Sequence, residues 1–200
     1  MSEPNTEAGL RERLVRAGVE LVAREGARGV SLREIARQAG VSHGAPRRYF
    51  PTHLSLLSAI AREGFGQLAA EAGRALAERE AEGPRAQLTA LARAYLAFAR
   101  DHRGMYELMF RHDLLESGVL GLRETSLPLF DVLVDLVARA RREDTEAPKE
   151  GHRAQAGALW AALHGIAQLG AWRSLQLATG AEADDVLRAT LDAHLGPEAA

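Results

Sequence analysis

Alanine outnumbers all β-branched residues together, and this ratio constrains the fold more than any other feature of the sequence. The chain has 38 alanines but only 20 valines, isoleucines and threonines among its 200 residues. Alanine has the highest helix propensity, whereas β-branched side chains favour strands. With 46% hydrophobic residues, the chain also has enough apolar material for a sizeable core. We therefore expect an all-α fold and exclude all-β and doubly wound α/β folds.

The sequence contains no cysteine, which excludes several kinds of site. Disulfide frameworks, thiolate zinc sites, iron–sulfur clusters and cysteine nucleophiles all require this residue. The first residues, MSEPNTEAG, lack the basic flank and apolar stretch of a signal peptide. The uncharged residues 154–172 nominally reach membrane-spanning length, but their glutamines, histidine and glycines favour a buried or interface helix. We expect a cytoplasmic protein.

The strongest local signals surround the segment SLREIARQAG, which begins at Ser31. Ser31 can cap a helix, Glu34 has the spacing of its capping-box partner, and Val30 can pack on Ile35 as a hydrophobic staple. Gly40 suits the left-handed conformation that ends a helix sharply. These positions predict a short helix between the serine and the glycine.

Two further helices flank this one. Apolar residues recur at helical spacing from Leu10 to Leu21, which predicts a first helix. After the glycine turn, Ser42 can cap a third helix, which must be short because Pro51 disfavours helical geometry at Phe50. A capped helix, a tight turn and a second short helix form the helix-turn-helix arrangement, whose second helix enters the DNA major groove.

Basic residues concentrate in this region, although the whole chain has a formal charge of −2. Residues 31–53 contain four arginines and a single acidic residue. Arginine can form paired hydrogen bonds to guanine or to phosphate oxygens, and the small Gly44 and Ala45 allow a helix to approach base edges closely. Double-stranded DNA is therefore an expected partner. Charge and periodicity leave open the alternative of a small helical subdomain with an exposed basic face.

Helical periodicity continues through the rest of the chain. Thr52 can cap a fourth helix that continues toward Ala81. The further predicted helices are Pro84–Arg100, Met105–His112, Leu127–Arg142, Gly151–Leu177 and Ala183–Leu195. The sequence thus predicts about nine helices, with an N-terminal three-helix unit followed by a C-terminal helical bundle.

The segment SLREIARQAGVSHGAPRRYFPTHLSLLSAI, with the amphipathic helix before it, resembles the DNA-binding domain of the TetR family of bacterial transcriptional regulators. This resemblance covers about residues 8–60. The segment LWAALHGIAQLGAW is similar to a C-terminal ligand-binding domain found in one branch of that family. Trp160, His164 and Gly165 stand at the matching positions.

The resemblance implies a helix-turn-helix domain over residues 1–53 and a ligand-binding and dimerisation domain over residues 54–200. The positions that it implies for DNA binding are Ser31, Arg33, Ser42, His43, Gly44, Ala45, Arg47, Arg48, Tyr49 and His53. Two of them depart from the family pattern, which usually has Tyr at position 47 and Lys at position 53, both touching the DNA backbone. Arg47 can strengthen that contact, whereas His53 lacks the permanent positive charge of a lysine and attracts phosphate less. Pro46 replaces a usual Leu, and a proline is tolerated best near a helix start.

Aromatic and methionine side chains concentrate in the C-terminal region, where most such residues simply form core. The resemblance implies that some of them enclose a pocket for a small apolar or amphipathic effector. The expected lining residues are Tyr95, Phe98, Met109, Phe130, Trp160, His164 and Gln168. His164 and Gln168 share one helical face, with Trp160 one turn earlier. A buried histidine satisfied by its own core partners is the alternative interpretation.

Small residues recur every four positions on the helix predicted over Gly151–Leu177. The candidate dimer-interface residues are Gly157, Ala161, Gly165 and Trp172 on this helix, with Leu187 and Leu191 on the final helix. Small side chains at this spacing let helices approach closely, which suits a symmetric four-helix interface. Intramolecular packing explains any one of these residues equally well. The resemblance to homodimeric regulators implies a homodimer.

No catalytic or metal-binding pattern stands out. The sequence has no glycine-rich phosphate loop, no GxSxG and no HExxH, and its histidines are spread over different predicted helices. We expect no enzymatic activity, no cofactor and no metal. The resemblance implies a ligand-responsive repressor that binds a palindromic operator as a homodimer. The departures at positions 47 and 53 suggest one alternative, a helical sensor or interaction protein that has lost operator binding, and a small all-α enzyme is a more distant one.

Overall fold

The computed structural model describes residues 4–118, 121–141 and 149–197, and every regular element in these ranges is helical. The eleven α-helices are α1 (Pro4–Glu25), α2 (Leu32–Gln38), α3 (Pro46–Tyr49), α4 (His53–Ala77), α5 (Pro84–Asp101), α6 (Arg103–Met109), α7 (His112–Glu116), α8 (Leu122–Ala140), α9 (Lys149–Ala171), α10 (Ser174–Thr179) and α11 (Ala183–Leu195). The predicted all-α fold is confirmed.

The described residues fall into two compact units. The first comprises the residues up to Gln67 together with His102–Ser126, and the second comprises Leu68–Asp101 and the residues from Leu127 onward. The first unit therefore contains α1 to α3, the first part of α4, α6 and α7. This division differs from the expected boundary after residue 53, because α6 packs on α1 and so joins the N-terminal helices. The assignment of a function to residues 1–53 and 54–200 stays a prediction.

Local signals set both ends of α2, as predicted. The Ser31 Oγ accepts a hydrogen bond from the Glu34 amide at 3.2 Å, and Gly40 has a φ of 68°, in the left-handed region. The Glu34 carboxylate does not reach back to complete the capping box, because it accepts from the Arg37 guanidinium instead. One half of the predicted box is thus present.

Two glycines bring the helices of the first unit close together. A Cβ atom on Gly18 of α1 would overlap Cδ1 of Ile60 on α4. A Cβ atom on Gly104 of α6 would lie 2.6 Å from the carbonyl oxygen of Val22 on α1. The core of this unit includes the fully buried Leu14, Leu21, Ile35, Ala36, Leu56 and Leu57. Only glycine permits these approaches without displacing a neighbour.

Helix α9 is central to the second unit, where it packs against α5, α10 and α11. Its buried side chains recur at helical spacing and are Ala156, Leu159, Leu163 and Ile166. They pack in a core that also contains Leu88 and Phe98 of α5 and Leu187 and Leu191 of α11. Although α9 carries the uncharged stretch, none of the helices in the described ranges has the length and apolar character to cross a membrane.

Several helix ends differ from those predicted. Helix α4 ends at Ala77, before Ala81, and the single helix expected around residues 105–112 is two helices, α6 and α7. Helix α8 begins at Leu122, five residues before the expected start, and its expected end at Arg142 lies outside the described residues. The helix expected to reach Leu177 ends at Ala171, because Arg173 has a φ of 59°.

Candidate nucleic-acid interface and effector site

Helices α2 and α3 form a helix-turn-helix pair within the first unit. Ile35 and Ala36 of α2 and Phe50, directly after α3, are buried, while Val41 and Tyr49 are half-buried. Both helices contact α1. This packing leaves the opposite side of the pair on the surface.

Helix α3 begins at Pro46, so the predicted cap at Ser42 is wrong. Pro46 occupies the first helical position, where its missing N–H group needs no partner. The residues before it form a turn, in which the Ala45 amide donates to the Ser42 carbonyl oxygen at 3.0 Å. The proline thus sits near a helix start, as its chemistry predicts, and shortens the helix to Pro46–Tyr49.

The surface of the helix-turn-helix pair carries most of the side chains expected to bind DNA. The exposed ones are Ser31, Arg33, Ser42, His43, Gly44, Arg47, Arg48 and His53, and the half-buried ones are Ala45 and Tyr49. Within the described part of the chain, Arg33 and Arg47 form no ion pair. Both guanidinium groups can therefore offer all of their donors to phosphate oxygens or base edges.

Arg37 differs from Arg33 and Arg47 because its guanidinium is paired with the carboxylate of Glu34. The Arg37 Nε lies 3.0 Å from the Glu34 Oε2, on the same helix. This hydrogen bond lowers the pKa of the Glu34 carboxyl below its ordinary value, which keeps the carboxylate charged. The exposed pair is close to neutral, so Arg33 supplies the uncompensated charge on α2.

Side chains of α1 hold the far end of α2 in place. The Arg13 guanidinium donates to the carbonyl oxygen of Ala39, just after α2, at 2.8 Å. The Gln38 amide donates to the Glu20 carboxylate at 2.7 Å and accepts from Arg24 at 3.1 Å. Our sequence reasoning missed these contacts, because helical periodicity locates apolar faces and does not pair polar side chains across helices.

Helix α4 begins with a reciprocal cap and a histidine bonded to the chain before α2. The Ser55 amide donates to Oγ1 of Thr52 at 3.0 Å, which confirms Thr52 as a cap, and the Thr52 amide donates to Oγ of Ser55 at 3.2 Å. The His53 Nε2 lies 3.1 Å from the carbonyl oxygen of Val30. One ring nitrogen of His53 therefore already has a partner within the protein.

In the second unit, four of the expected effector-site residues form a connected aromatic cluster, which comprises Tyr95, Phe130, Trp160 and His164. The Tyr95 hydroxyl lies 2.9 Å from Nδ1 of His164. The Trp160 ring centroid lies 5.8 Å from that of His164 and 6.2 Å from that of Phe130, the second pair at an interplanar angle of 71°. The Arg153 guanidinium lies 5.2 Å from the Phe130 centroid. Such edge-to-face and cation–π contacts organise the rings.

The polar groups of the cluster include the Tyr95 hydroxyl and the His164 imidazole, which are hydrogen-bonded to each other. Burial lowers the pKa of His164 below its ordinary value, so the imidazole is neutral at pH 7. Trp160 is 39% exposed, which leaves part of its ring on the surface of the chain. Among the described residues, no group of three His, Cys, Asp or Glu side chains could hold a metal ion.

The other three expected effector-site residues are distributed over both units. Phe98 is buried in the core of the second unit, and Gln168 lies half-buried one turn beyond His164 on α9. Met109 belongs to the first unit, where its sulfur lies 2.6 Å from the Cβ position of Gly64 on α4. It is fully buried there and fills the space that the glycine leaves open.

The candidate dimer-interface residues divide between surface and core. On and just after α9, Gly157 and Gly165 are half-buried, Ala161 is exposed and Trp172 is 61% exposed. We call these four residues the neutral face. Leu187 and Leu191 of α11 are buried inside the same chain, so their side chains do not reach the surface. The leucine repeat of α11 is explained by intramolecular packing against α9 and α5.

The second unit also contains a cavity of about 600 Å³ that the sequence did not reveal. It lies between the end of α4, α5 and α11, and alanines of α5 at positions 86, 90 and 94 line it. The arginines at its rim pair with acids of the chain, as in the contact of Arg93 with Asp184 at 2.9 Å. The only sequence signal for this cavity among these lining residues is the recurrence of small alanines every four positions on α5. No residue of the aromatic cluster lines this cavity.

Two short helices around a glycine turn, with exposed arginines on their outer side, define a helix-turn-helix DNA-binding protein. The family model "Bacterial regulatory proteins, tetR family" matches residues 14–60, and "Tetracyclin repressor-like, C-terminal domain" matches residues 88–194. The chain belongs to the TetR family of bacterial regulators, which bind DNA and respond to ligands. It is thus a regulator and not an enzyme. The narrower resemblance to one branch, at Trp160, His164 and Gly165, stays a prediction.

Several solved structures are similar to the chain over most of its length. A protein of unknown function from Rhodococcus sp. RHA1 is 34% identical, with 97% of each chain covered and a TM-score of 0.78. The TetR transcriptional regulator SCO0520 from Streptomyces coelicolor is 28% identical, with 94% of this chain and 99% of that chain covered and a TM-score of 0.54. The multidrug binding protein EbrR, in complex with imidazole, is 25% identical, with 94% and 96% covered and a TM-score of 0.56. A comparison with curated proteins finds no match.

Proposed function

We propose that this regulator is a repressor that binds a palindromic operator as a homodimer and is released by a small apolar or amphipathic molecule. The observation that carries the proposal is the pair of exposed guanidinium groups of Arg33 and Arg47 on the helix-turn-helix, which form no ion pair with any other residue that the structure describes. Helix-turn-helix dimers place two recognition helices about one DNA turn apart, and their operators share the two-fold symmetry of the protein.

In this proposal α3 and the turn before it read the major groove. Arg47 lies in the first turn of α3 and contacts either a phosphate or a guanine edge. His43 and Gly44 are exposed in the turn, and the glycine allows the backbone to approach the bases closely. Arg33 on α2 contacts the DNA backbone, which fixes the orientation of the pair on the duplex without reading sequence.

The neutral face supports the homodimer. No charged residue occurs between positions 154 and 172, so burying this part of α9 against a second copy removes no ionised group from water. A Cβ atom on Gly165 would meet nothing within 4 Å in the single chain, so the space beside it is open to a partner helix. Two copies of α9 related by a two-fold axis would bury their apolar and small side chains against each other.

The aromatic cluster supports the effector site. Its rings offer an apolar surface, and the Tyr95–His164 pair adds hydrogen-bonding groups, which fits an uncharged or amphipathic molecule. EbrR, which is similar over most of the chain, is a multidrug binding protein. An effector that binds one spacing of the two recognition helices more tightly than the other would shift the population toward the state that leaves the operator.

The experiment that tests this function is selection of bound sites from a random DNA pool. We expect the purified protein to enrich an inverted repeat, and a reporter gene behind that repeat to be repressed by the protein. A variant with both Arg33 and Arg47 changed to alanine, with its fold checked by circular dichroism, serves as the control. Failure of the wild type to enrich any sequence would favour the sensor or interaction protein instead.

A further inference from the structure

His53 links the first residue of α4 to the chain just before α2. Its Nε2 lies 3.1 Å from the carbonyl oxygen of Val30, which immediately precedes the N-cap residue Ser31. A carbonyl oxygen can only accept a hydrogen bond, so Nε2 carries the hydrogen and donates it. Val30 is buried, which fixes the acceptor in the core of the first unit.

This bond holds the beginning of α2, whose other end is held from α1. At that other end Arg13 donates to the carbonyl oxygen of Ala39. The segment between Val30 and His53 contains the whole helix-turn-helix pair, so the hydrogen bond closes a loop around the DNA-binding surface. The bond therefore connects the start of α2 directly to the start of α4.

We propose that His53 is a positioning residue for DNA binding, which fixes the helix-turn-helix pair on α4 through Val30 instead of contacting a DNA phosphate. This inference rests on the proposed function for its DNA readout. It departs from the role that the family resemblance implies for position 53. The side chain of His53 explains this departure. Its imidazole is shorter and more rigid than a lysine side chain, and it places Nε2 within hydrogen-bonding distance of the Val30 carbonyl oxygen.

The start of α4 does not depend on His53. Thr52 and Ser55 cap the helix reciprocally, at 3.0 Å and 3.2 Å, and the Ser55 hydroxyl also donates to the Thr52 carbonyl oxygen at 2.7 Å. His53 itself is exposed. A substitution at position 53 therefore removes the link to Val30 while the helix keeps its cap.

Two substitutions test whether the hydrogen-bond donor of His53 matters for DNA binding, and amide hydrogen exchange then separates the positioning role from a phosphate contact. His53→Gln keeps an N–H donor at a similar reach, whereas His53→Leu removes the donor at similar volume. We expect His53→Leu to weaken binding to the selected operator by about threefold to tenfold per half-site, the usual effect of one hydrogen bond. We expect His53→Gln to restore binding to within about twofold of the wild type.

Amide hydrogen exchange in the DNA-free protein supplies the decisive readout. The Glu34 and Ile35 amides bond to Ser31, so they should exchange faster in His53→Leu than in the wild type or His53→Gln. Unchanged exchange at these amides, together with weaker DNA binding, would indicate a phosphate contact and overturn the proposal. Faster exchange in α5 as well, which belongs to the second unit, would mean that His53→Leu destabilises the whole chain. The measurement is then repeated with His53→Ala in place of His53→Leu.

The exchange readout also distinguishes failure of this inference from failure of the proposed function. If the wild type binds no operator, the proposed function fails, and the DNA-binding part of the His53 proposal fails with it. If the wild type binds an operator but His53→Leu binds it equally well, only the positioning role is overturned. Faster exchange, weaker binding and rescue by glutamine together support it.

Discussion

Arg47→Ala removes the guanidinium group that, in the proposed function, contacts a phosphate or a guanine edge. The guanidinium is exposed and forms no ion pair with another described residue. Its removal therefore breaks no intramolecular interaction of this kind, and the free energy of unfolding should change by no more than about 0.5 kcal/mol. Any loss of DNA affinity would then report the contact with DNA and not damage to the fold.

The size and the salt dependence of the loss identify the partner of Arg47. A base-edge contact should cost about 1 to 3 kcal/mol per half-site and relax specificity at one position. A phosphate contact should weaken all sequences alike and reduce the slope of log affinity against log salt by about one for each half-site. Fluorescence anisotropy with the selected operator and with a scrambled duplex, at several salt concentrations, measures both quantities.

Arg62→Ala is the matched control because it removes the same charge. Arg62 is also exposed and unpaired within the described ranges, and it lies nine residues beyond the start of α4, about 14 Å along the helix axis. We expect its loss to leave operator affinity nearly unchanged. Equal effects of the two substitutions would indicate a general charge effect and refute the assignment of Arg47 to the interface. If the wild type binds no operator and Arg47→Tyr binds one strongly, the natural chain is not a DNA-binding protein.

Four further predictions concern stability and assembly. Gly165→Arg should give a monomer in sedimentation velocity whereas Gly165→Ala stays dimeric, because only the long charged side chain blocks the neutral face; a monomeric wild type at micromolar concentration would contradict the dimer. Tyr95→Phe should lower the free energy of unfolding by about 0.5 to 1.5 kcal/mol in chemical denaturation, because it leaves a half-buried imidazole nitrogen without its hydroxyl partner, and an unchanged value would show that the bond contributes nothing. Because burial lowers the pKa of His164, the unfolded chain binds a proton at this residue more readily than the folded chain does. Thermal stability should therefore fall as the pH drops through about 6.5, and His164→Gln should show a smaller fall. Gly18→Ala should destabilise by about 1 to 3 kcal/mol, because its Cβ would overlap a buried isoleucine of α4, whereas Gly66→Ala, with nothing within 4 Å, should not; equal effects would count against the close helix approach.

The elements that the sequence predicts well are those with local chemical signals. The N-cap at Ser31, the left-handed Gly40 and the cap at Thr52 each depend on a few neighbouring residues. Helix α11 has the predicted bounds, Ala183–Leu195, because its apolar repeat agrees with its flanking turns. Local chemistry was also sufficient for Pro46, although it did not reveal how far the proline would shorten α3.

What the sequence could not predict depends on contacts between distant residues. The break after α9 occurs at Arg173, which is neither glycine nor proline, so no local signal marks it. Met109 is an apolar, flexible side chain of the kind that lines effector pockets, but it packs against Gly64 in the first unit. Leu187 and Leu191 form the same stripe whether they face the core or a partner, and only the packed structure shows that they face the core. For His53, the partner lies 23 residues away along the chain.

Hydroxyl-radical footprinting of the wild type on its selected DNA site tests the central claim most directly. If the chain binds as a symmetric dimer through two α3 helices, both strands should be protected in two patches. These patches should be related by an inverted repeat and centred about 10 base pairs apart, or a multiple of that spacing, on one face of the duplex. A single asymmetric patch, or uniform protection that disappears at moderate salt, would contradict operator recognition by a homodimer.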